Sequence, residues 1–437
     1  MAEILRVGIA GVGTVGASVV RLLAQQDEAL RARTGRKIVV TGISARDKAK
    51  DRGFDASGIA FFDDPKALAA SEDIDLFVEL IGGDEGPARA SVETALKHGK
   101  AVVTANKALL AKHGLALATL AEEKRVALAY EASVAGGIPI VKTLREGLAG
   151  NSIERVYGIL NGTCNYILSK METEELPFDV CLKEAQRLGY AEADPTFDIG
   201  GFDTAHKLAI LATLAFGTEI DADAISIEGI EHVTTADLRA ADELGYRIKL
   251  LGVAQRTPHG VEQRVHPTMV RKTTSIAQVM GVTNAVTIDA DAVHELTLVG
   301  PGAGGNATAS AVVADIADIA RGVRSRPLGL PRAALSKVKR VEMQRHEGGY
   351  YIRLAVFDKP GAFAGIATRM AERGISLESI VQRGKASSSG GDKTGASVPV
   401  ILITHATTEK LVREALDAIV ADGYVAERPQ SIRIERE

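Results

Sequence analysis

Features of secreted, membrane and nucleic-acid-binding proteins are scarce in this sequence. Its two cysteines, Cys164 and Cys181, are too few for a disulfide framework or a thiolate metal site, and they are typical of a reducing compartment. No apolar run approaches the roughly 18 residues of a membrane-spanning helix, and the first residues lack the pattern of a secretion signal. The formal net charge of −4 provides no basic surface for nucleic acid or for an anionic membrane. We therefore expect a cytoplasmic protein with neither nucleic-acid nor membrane partners.

The composition is otherwise that of an ordinary globular protein. Apolar residues make up 46% and charged residues 25% of the chain, a balance that permits large buried cores. A length of 437 residues allows two or three domains.

A glycine-rich loop near the start of the chain predicts a dinucleotide-binding domain. It follows an apolar run, Ile4–Ala10, that has the character of a buried strand, and apolar residues at helical spacing come after it. The loop residues are Gly11, Val12, Gly13, Thr14, Val15 and Gly16. In a Rossmann-type fold such glycines make the tight turn, admit the pyrophosphate and allow close packing of helix and strand. The alternative, a glycine turn that binds nothing, is the weaker interpretation in this context.

The end of the second predicted strand, Lys37–Ser44, bears on the choice of cofactor. An NAD site typically has an acidic residue there to accept from the ribose 2′-hydroxyl. This chain has Arg46 and Lys48, which favour the 2′-phosphate of NADP. Asp47 between them also permits NAD, and a solvated loop of mixed charge is the alternative.

Two further strands, at residues 75–81 and 101–105, have the continuous apolar character of a parallel sheet. Lys107 follows the second of them, at the edge of the sheet where ligands bind in such folds. We expect Lys107 to reach the nicotinamide or the substrate. The alternative is a surface lysine at a helix N-terminus, which is an unfavourable place for a cation.

Three turns of small residues predict further binding elements in the middle of the chain. Residues 130–139 form a glycine turn whose carbonyls, with the Glu131 carboxylate, suit a monovalent cation; a plain tight turn is an equal alternative. Residues 159–167 offer N–H and hydroxyl donors to a substrate carboxylate. Residues 299–315 lead from glycines into a helix of small residues that permits close approach to the cofactor or to the first domain.

The acidic segment at residues 187–208 carries the most information about chemistry. Glu192, Asp194, Asp198 and Asp203 precede Lys207, and a helix beginning near Asp203 would place Asp203 and Lys207 on one face. Adjacent carboxylates are expected to hold the lysine proton more firmly, as suits a proton donor, while the others receive a substrate ammonium. The alternative is a solvated acidic loop. The strongly apolar sequence that follows predicts burial, so these charges need a functional reason.

The C-terminal part predicts a separate domain. Its strands and helices are expected in the order βαββαβ of a ferredoxin-like plan. We predict a dinucleotide-binding domain at residues 1–130, completed by about 300–325; a substrate-binding, catalytic and dimerisation domain at 131–300; a linker at 326–348; and the final domain at 349–437.

Six segments together resemble homoserine dehydrogenase over roughly the first 325 residues. They are the N-terminal glycine loop, VVTANKALLA, EASVAGGIPI, NGTCNYIL, GYAEADPTFDIGGFDTAHK and GPGAGGNATASAVVAD, in the order of that family. The acidic segment is the most specific of them. The resemblance implies reversible, NAD(P)H-dependent reduction of L-aspartate 4-semialdehyde to L-homoserine in threonine, methionine and isoleucine biosynthesis.

The resemblance also implies roles for individual residues. Lys207 matches the catalytic proton donor, with Asp203 beside it, and Lys107 matches a lysine near nicotinamide and substrate. The matches to the substrate pocket are Glu192 for the amino group, Tyr190, Asp198, Gly162 and Thr163. Gly304 matches a glycine that contacts the cofactor. The matches to a sodium site are Glu131 and the carbonyls of Val134, Gly136 and Ile138.

The turn Asp358-x-Pro-Gly that opens the first helix of the C-terminal domain resembles an ACT domain. This implies threonine feedback through a site near Asp358, Gly361 and Ala362 in a homodimer or homotetramer, and a purely structural dimerisation module is the alternative. Two other functions compete with the enzyme. A nucleotide-sensing regulator needs no proton donor, so the Asp203–Lys207 pair argues against it, and a dehydrogenase for another amino acid is opposed by the resemblance alone.

Overall fold

The N-terminal domain is a parallel sheet with helices on both faces. The computed structural model describes residues 4–337, 341, 343–382 and 397–435. Its strands are β1 (Ile4–Ala10), β2 (Lys37–Ser44), β3 (Ala60–Phe62), β4 (Leu76–Glu79), β5 (Ala101–Thr104) and β6 (Leu128–Ala129). Its helices are α1 (Thr14–Gln25), α2 (Asp27–Thr34), α3 (Pro65–Ala70), α4 (Pro87–Lys97) and α5 (Lys107–Lys124). The strand order is β3-β2-β1-β4-β5-β6, and every neighbouring pair is parallel. This order confirms the predicted Rossmann-type sheet.

The strands β1 and β2 have the predicted bounds, whereas β4 is shorter than the predicted stretch 75–81. The reason is a turn directly after Glu79, whose carboxylate accepts the N–H groups of Ile81 and Gly82. The polar end of the strand therefore closes a loop instead of continuing the sheet.

The middle of the chain forms an antiparallel sheet with helices. Its elements are α6 (Ile140–Lys142), β7 (Ile153–Ile159), α7 (Gly162–Glu174), α8 (Phe178–Arg187), α9 (Thr196–Ile199), α10 (Phe202–Phe216), β8 (Ser226–Ile227), α11 (Thr235–Glu243), β9 (Tyr246–Thr257), β10 (Gly260–Arg271), β11 (Thr283–Ala290), β12 (His294–Pro301) and α12 (Gly305–Ala320). The strands lie in the order β12-β11-β7-β9-β10. Helix α10 crosses close to β9 at Gly252, where a Cβ atom would lie 3.0 Å from Thr204. The absence of a side chain there brings α10 against the sheet.

Helix α12 returns the chain to the first domain. It packs on α1, and a Cβ atom at its first residue, Gly305, would lie 3.0 Å from the Ser18 hydroxyl. Its buried residues Val312 and Ile316 share a core with Val19 of α1. The glycine turn before α12 is thereby held beside the phosphate loop.

The C-terminal domain has the predicted βαββαβ order. Its elements are β13 (Glu347–Phe357), α13 (Ala362–Glu372), β14 (Leu377–Gln382), β15 (Ser397–Thr404), β16 (Thr407–Thr408), α14 (Glu409–Ala421) and β17 (Gln430–Ile434). The strands lie in the order β17-β13-β15-β14, which is a ferredoxin-like sheet. Strand β17 also pairs in parallel with β10, so this sheet continues the sheet of the middle domain. Within the described ranges, no helix is both long and apolar enough to cross a membrane.

Candidate active site

The glycine loop forms one wall of a cleft of about 890 Å³ at the carboxyl edge of the parallel sheet. Gly11 has a φ of +94°, and a Cβ atom there would lie 2.3 Å from the Leu80 carbonyl oxygen. A Cβ atom at Gly16 would lie 2.1 Å from the Gly11 carbonyl oxygen, whereas at Gly13 it would meet nothing within 4 Å. Among the described residues no side chain caps α1 at Gly13. Its first N–H groups therefore face an open cradle that fits a pyrophosphate.

Basic residues line the far end of this cleft, where the second strand ends. Arg46 lines it as expected, together with Lys50 and Arg52. The Arg52 guanidinium donates to the carbonyl oxygens of Val12 at 3.1 Å and Lys50 at 2.7 Å. Lys48 lies elsewhere, with its ammonium 5.4 Å from the centroid of the Phe61 ring. The structure thus places Arg46 at the predicted position and adds Lys50 and Arg52, which the strand-end pattern did not single out.

A buried polar network joins the ends of β4 and β5 and positions Lys107. The Glu79 carboxylate accepts the Thr104 hydroxyl at 2.5 Å, and the Asn106 side chain accepts the Leu109 N–H at 3.0 Å. Asn106 thereby caps α5, so that Lys107 is its first residue. Sequence reasoning missed Glu79 and Asn106, although a single acidic residue in an apolar strand and an asparagine before a helix are both recognisable signals.

Asp203 is the centre of a buried ionic cluster. Helix α10 begins after Gly201, and Asp203 in its first turn is only 4% exposed. One carboxylate oxygen lies 2.9 Å from the Lys107 ammonium and the other 2.7 Å from the Lys207 ammonium. Lys207 also donates to the Leu160 carbonyl oxygen at 2.6 Å. The predicted Asp203–Lys207 pair is therefore present, and Lys107 joins it.

The two lysines differ in their affinity for the proton. Burial lowers the pKa of Lys207 below the usual lysine value, and the charge of Lys107 lowers it further, despite the opposing effect of Asp203. Burial also disfavours the charge of Lys107, but Asp203 outweighs it and the pKa of Lys107 is raised. The expectation that the carboxylates hold the Lys207 proton more firmly is therefore wrong, because desolvation dominates. A lowered pKa makes Lys207 the better proton donor near neutral pH.

Asp198 and Thr163 lie beside this cluster. Asn161, which sequence reasoning missed as a functional residue, donates its side-chain N–H to Asp198 at 2.8 Å and to Asp203 at 2.9 Å. Burial and the charge of Asp203 raise the pKa of Asp198. The Thr163 hydroxyl donates to the Tyr190 carbonyl oxygen at 2.6 Å and so ties the acidic loop to α7.

The remaining substrate-pocket candidates lie around the cluster. Tyr190 is exposed, and its ring packs edge-on against Tyr166 with centroids 5.0 Å apart. Glu192 is also exposed, and its charge contributes to the raised pKa of Lys107. Gly162 begins α7, where a Cβ atom would lie 2.7 Å from the Val282 carbonyl oxygen. The structure thus forms a buried ionic centre with an acidic, solvent-accessible rim.

The turn that contains Gly304 packs against the glycine turn of residues 134–138. A Cβ atom at Gly136 would lie 2.5 Å from the Gly302 carbonyl oxygen, and the Gly137 N–H donates to Pro301. Gly304 has a φ of +117° and no atom within 4 Å of its ideal Cβ position. This exposure on the side of the phosphate loop is compatible with a cofactor contact.

The Glu131 carboxylate does not face an open cation site. Its two oxygens accept the N–H groups of Val141 at 2.8 Å and Lys142 at 2.9 Å, at the start of α6. Burial and Asp315 raise the pKa of Glu131 to about 7. The Ile138 carbonyl oxygen accepts the Ile140 N–H at 2.8 Å. In the described part of the chain no cluster of three His, Cys, Asp or Glu residues suits a metal, so a cation here depends on main-chain carbonyls such as those of Val134 and Gly136.

Comparison with known proteins identifies this arrangement. A profile described as "Homoserine dehydrogenase" matches residues 139–317, and one described as "Homoserine dehydrogenase, NAD binding domain" matches residues 11–131. The homoserine dehydrogenase of Neisseria gonorrhoeae is 44% identical over 437 residues, which cover 99% of this chain and 98% of that relative.

Solved structures agree with the sequence comparison. The crystal structure of a homoserine dehydrogenase from Thiobacillus denitrificans has a TM-score of 0.92 at 44% identity, covering 99% of this chain and 98% of that one. A hyperthermophilic archaeal homoserine dehydrogenase in complex with NADPH has a TM-score of 0.63 at 28% identity, covering 74% and 99%. These matches are to enzymes over nearly the whole chain, so the alternative of a non-catalytic nucleotide sensor is rejected. The chain belongs to the homoserine dehydrogenase family, NAD(P)-dependent oxidoreductases that interconvert L-aspartate 4-semialdehyde and L-homoserine.

Proposed function

We propose that Lys207 donates the proton to the substrate oxygen in this reaction, with Asp203 orienting it. The observation that carries the proposal is the buried contact of Asp203 with both Lys207 and Lys107. Reduced nicotinamide, when bound, supplies the hydride. The aldehyde oxygen gains negative charge during reduction, and a desolvated ammonium stabilises that charge and then protonates it. Lys107, whose pKa is raised, stays charged and stabilises the same oxygen or the substrate carboxylate.

The surrounding residues suit an amino-acid substrate. We propose that Glu192 receives the substrate ammonium at the rim, with Tyr190 and Asp198 lining the same pocket. The amides of Gly162 and Thr163 lie at the N-terminus of α7, where partial positive charge favours a carboxylate.

We predict that Lys207→Ala lowers kcat for aldehyde reduction by roughly a thousandfold or more, because it removes the proton donor and because Lys107, whose pKa is raised, releases its proton less readily. NADPH affinity, measured by fluorescence titration, should stay within about twofold, because the phosphate loop is unchanged. The control is Lys112→Ala, an exposed lysine of α5 that pairs with Asp84 and Glu85 and should keep full activity. Loss of NADPH binding in parallel with activity would contradict the assigned role.

We also propose that NADP(H) is the preferred cofactor. Arg46, Lys50 and Arg52 supply positive charge at the adenosine end of the cleft. A 2′-phosphate gains charge-assisted hydrogen bonds from such groups. The related archaeal enzyme was solved with NADPH, which supports the same choice here.

Cofactor preference is tested by Arg46→Ala. The ratio of kcat/KM with NADPH to that with NADH should fall by roughly tenfold or more, since one charged hydrogen bond is lost. Lys48→Ala is the matched control, because the Lys48 ammonium lies over Phe61, and its ratio should be close to that of the unaltered enzyme. Equal ratios in all three proteins would argue against a 2′-phosphate site.

Other features follow from the family resemblance. We propose a sodium ion held by the main-chain carbonyls of Val134 and Gly136, threonine as an effector at the turn of Asp358, Gly361 and Ala362, and a homodimer or homotetramer. Titration calorimetry with each ligand and sedimentation velocity test these three. A cytoplasmic location is proposed because both Cys164 and Cys181 are free thiols.

A further inference from the structure

Asn161 lies between the two buried carboxylates of the active site. Its side-chain oxygen accepts the Cys164 N–H at 2.8 Å and so caps α7. Its side-chain nitrogen donates to Asp198 at 2.8 Å and to Asp203 at 2.9 Å. The reverse orientation would place an oxygen against two carboxylates and a nitrogen against an N–H group. The orientation of the amide is therefore determined by its surroundings.

A neutral hydrogen-bond donor suits the position of Asn161 better than a charged side chain would. Asp203 already contacts two ammonium groups, Lys107 and Lys207, and Asp198 lies next to it. A lysine or arginine in place of Asn161 would compete with these two cations for Asp203. An aspartate would add repulsion among buried carboxylates. An amide separates and hydrogen-bonds both carboxylates without adding charge.

We propose that Asn161 is a positioning residue that holds Asp198 and Asp203 apart and fixes Asp203 so that each of its oxygens meets one lysine. The inference rests on the proposed role of Lys207. Asn161 does not itself contact the reacting atoms in this role. Its effect reaches the reaction through Asp203, whose shared oxygen accepts from both Asn161 and Lys207.

The consequence for pH dependence depends on all charges near Lys207. Among the residues that the structure describes, the titratable groups around Lys207 are Asp203 and His206 on α10, Asp198 on α9, Lys107 on α5 and the Cys164 thiol on α7. Burial raises the pKa of Cys164 and lowers that of His206, so neither is charged between neutral and mildly alkaline pH. Removal of the Asn161 side-chain N–H takes a hydrogen bond from Asp198 and from Asp203, so their negative charges act more strongly on Lys207. Lys207 then holds its proton to higher pH.

Asn165 provides a matched control on the same helix. It is buried, and its side-chain nitrogen also donates twice, but to the carbonyl oxygens of Val279 and Thr283, while its oxygen accepts from Lys249. Asn165→Ser thus removes comparable hydrogen bonds away from the ionic cluster. Asn161→Ser keeps a residue that caps helices well, and it removes the bridge between the carboxylates.

The experiment measures kcat for aldehyde reduction against pH, with NADPH binding and thermal unfolding as checks on folding. Asn161→Ser should lower kcat by roughly tenfold or more and move the alkaline decline of kcat to higher pH, while Asn165→Ser leaves that decline in place. Identical profiles for the two variants would overturn the proposal. Asn161→Asp, which adds a carboxylate, should move the decline further in the same direction.

Failure of the proposed function gives a different result. If Lys207 is not the proton donor, Lys207→Ala retains turnover whatever Asn161→Ser does. If only the inference about Asn161 fails, Lys207→Ala is inactive, and Asn161→Ser has the pH profile of Asn165→Ser.

Discussion

At the scale of single residues, burial controls the active-site charges more than sequence spacing does. The four-residue separation of Asp203 and Lys207 predicts their contact, and that contact is present at 2.7 Å. The spacing does not predict Lys107, which comes from a different domain, or the lowered pKa of Lys207. The contact of Lys107 with Asp203 depends on the packing of distant segments against each other. The lowered pKa of Lys207 depends on the exclusion of water from the cluster, which that packing produces.

Lys249 shows the same effect of burial, and in the described part of the chain its hydrogen-bond partners are neutral. Its side chain is 1% exposed, and its ammonium donates to the Val279 carbonyl oxygen at 2.6 Å and to Asn165 at 3.0 Å. Burial lowers the pKa of Lys249 from 10.5 to about 8. Below pH 8 the folded and unfolded states both hold this proton, and above pH 8 the folded state releases it first.

We therefore predict that Lys249 makes the protein more stable as pH rises from about 8 to about 10.5, because the unfolded state binds more protons in that window. In Lys249→Met this contribution is absent. The difference in free energy of unfolding between the two proteins, measured by urea denaturation, should change by on the order of 2 kcal/mol across the window. Parallel pH profiles would show that Lys249 has an ordinary pKa.

At the scale of elements, the local pattern predicted the strands and helices of the cofactor domain well. β1 and β2 have the expected bounds because their residues are apolar and bounded by turn residues. Less regular elements were not predicted, among them the short α9 and the strand β8, since a few residues carry too weak a pattern. The glycine loop is the element where local structure and function meet most directly.

Gly13 and Gly16 separate these two aspects of the loop. A Cβ atom at Gly13 meets nothing within 4 Å, so Gly13→Ala should change the free energy of unfolding by less than roughly 0.5 kcal/mol. Because the added methyl group projects into the cradle for the pyrophosphate, Gly13→Ala should weaken NADPH binding by about tenfold or more. At Gly16 a Cβ atom would lie 2.1 Å from the Gly11 carbonyl oxygen, so Gly16→Ala should cost roughly 1–3 kcal/mol of stability.

Thermal or urea unfolding and fluorescence titration with NADPH measure both quantities. If Gly13→Ala bound NADPH with unchanged affinity, the pyrophosphate would have to bind elsewhere. If Gly16→Ala had the stability of the unaltered protein, the close approach of loop and helix would be unimportant.

At the scale of the whole molecule, the C-terminal domain is joined to the middle domain by more than the chain between them. Strand β17 pairs with β10, and Arg433 of β17 is buried between Glu228 and Glu409. Its guanidinium donates to Glu228 at 2.9 Å and to Glu409 at 2.8 Å. Glu228 precedes Gly229, where a Cβ atom would lie 2.4 Å from the Ile199 carbonyl oxygen, next to Asp198. The junction is thus in contact with the acidic loop.

We predict that Arg433→Met lowers the free energy of unfolding by about 1–3 kcal/mol, because it removes the buried guanidinium that joins Glu228 to the buried Glu409 and leaves only the more exposed Arg413 beside both carboxylates. The control is Arg369→Met, which removes an exposed ion pair with Asp422 inside the C-terminal domain and should have little effect. Calorimetry should also show Arg433→Met unfolding in two steps where the unaltered protein unfolds in one. Equal effects of the two substitutions would contradict a stabilising junction.

By itself the sequence determined the family, the glycine loop, the order of the main elements and the Asp203–Lys207 pair. Each of these depends on residues close together in the chain or on a motif of fixed spacing. Only the tertiary structure decided that Lys107 and Asn161 meet Asp203, that Arg52 lines the cofactor cleft, and that Arg433 joins two domains. Contacts between distant segments, and the burial that shifts the pKa of Lys207, arise from packing, to which no local pattern corresponds.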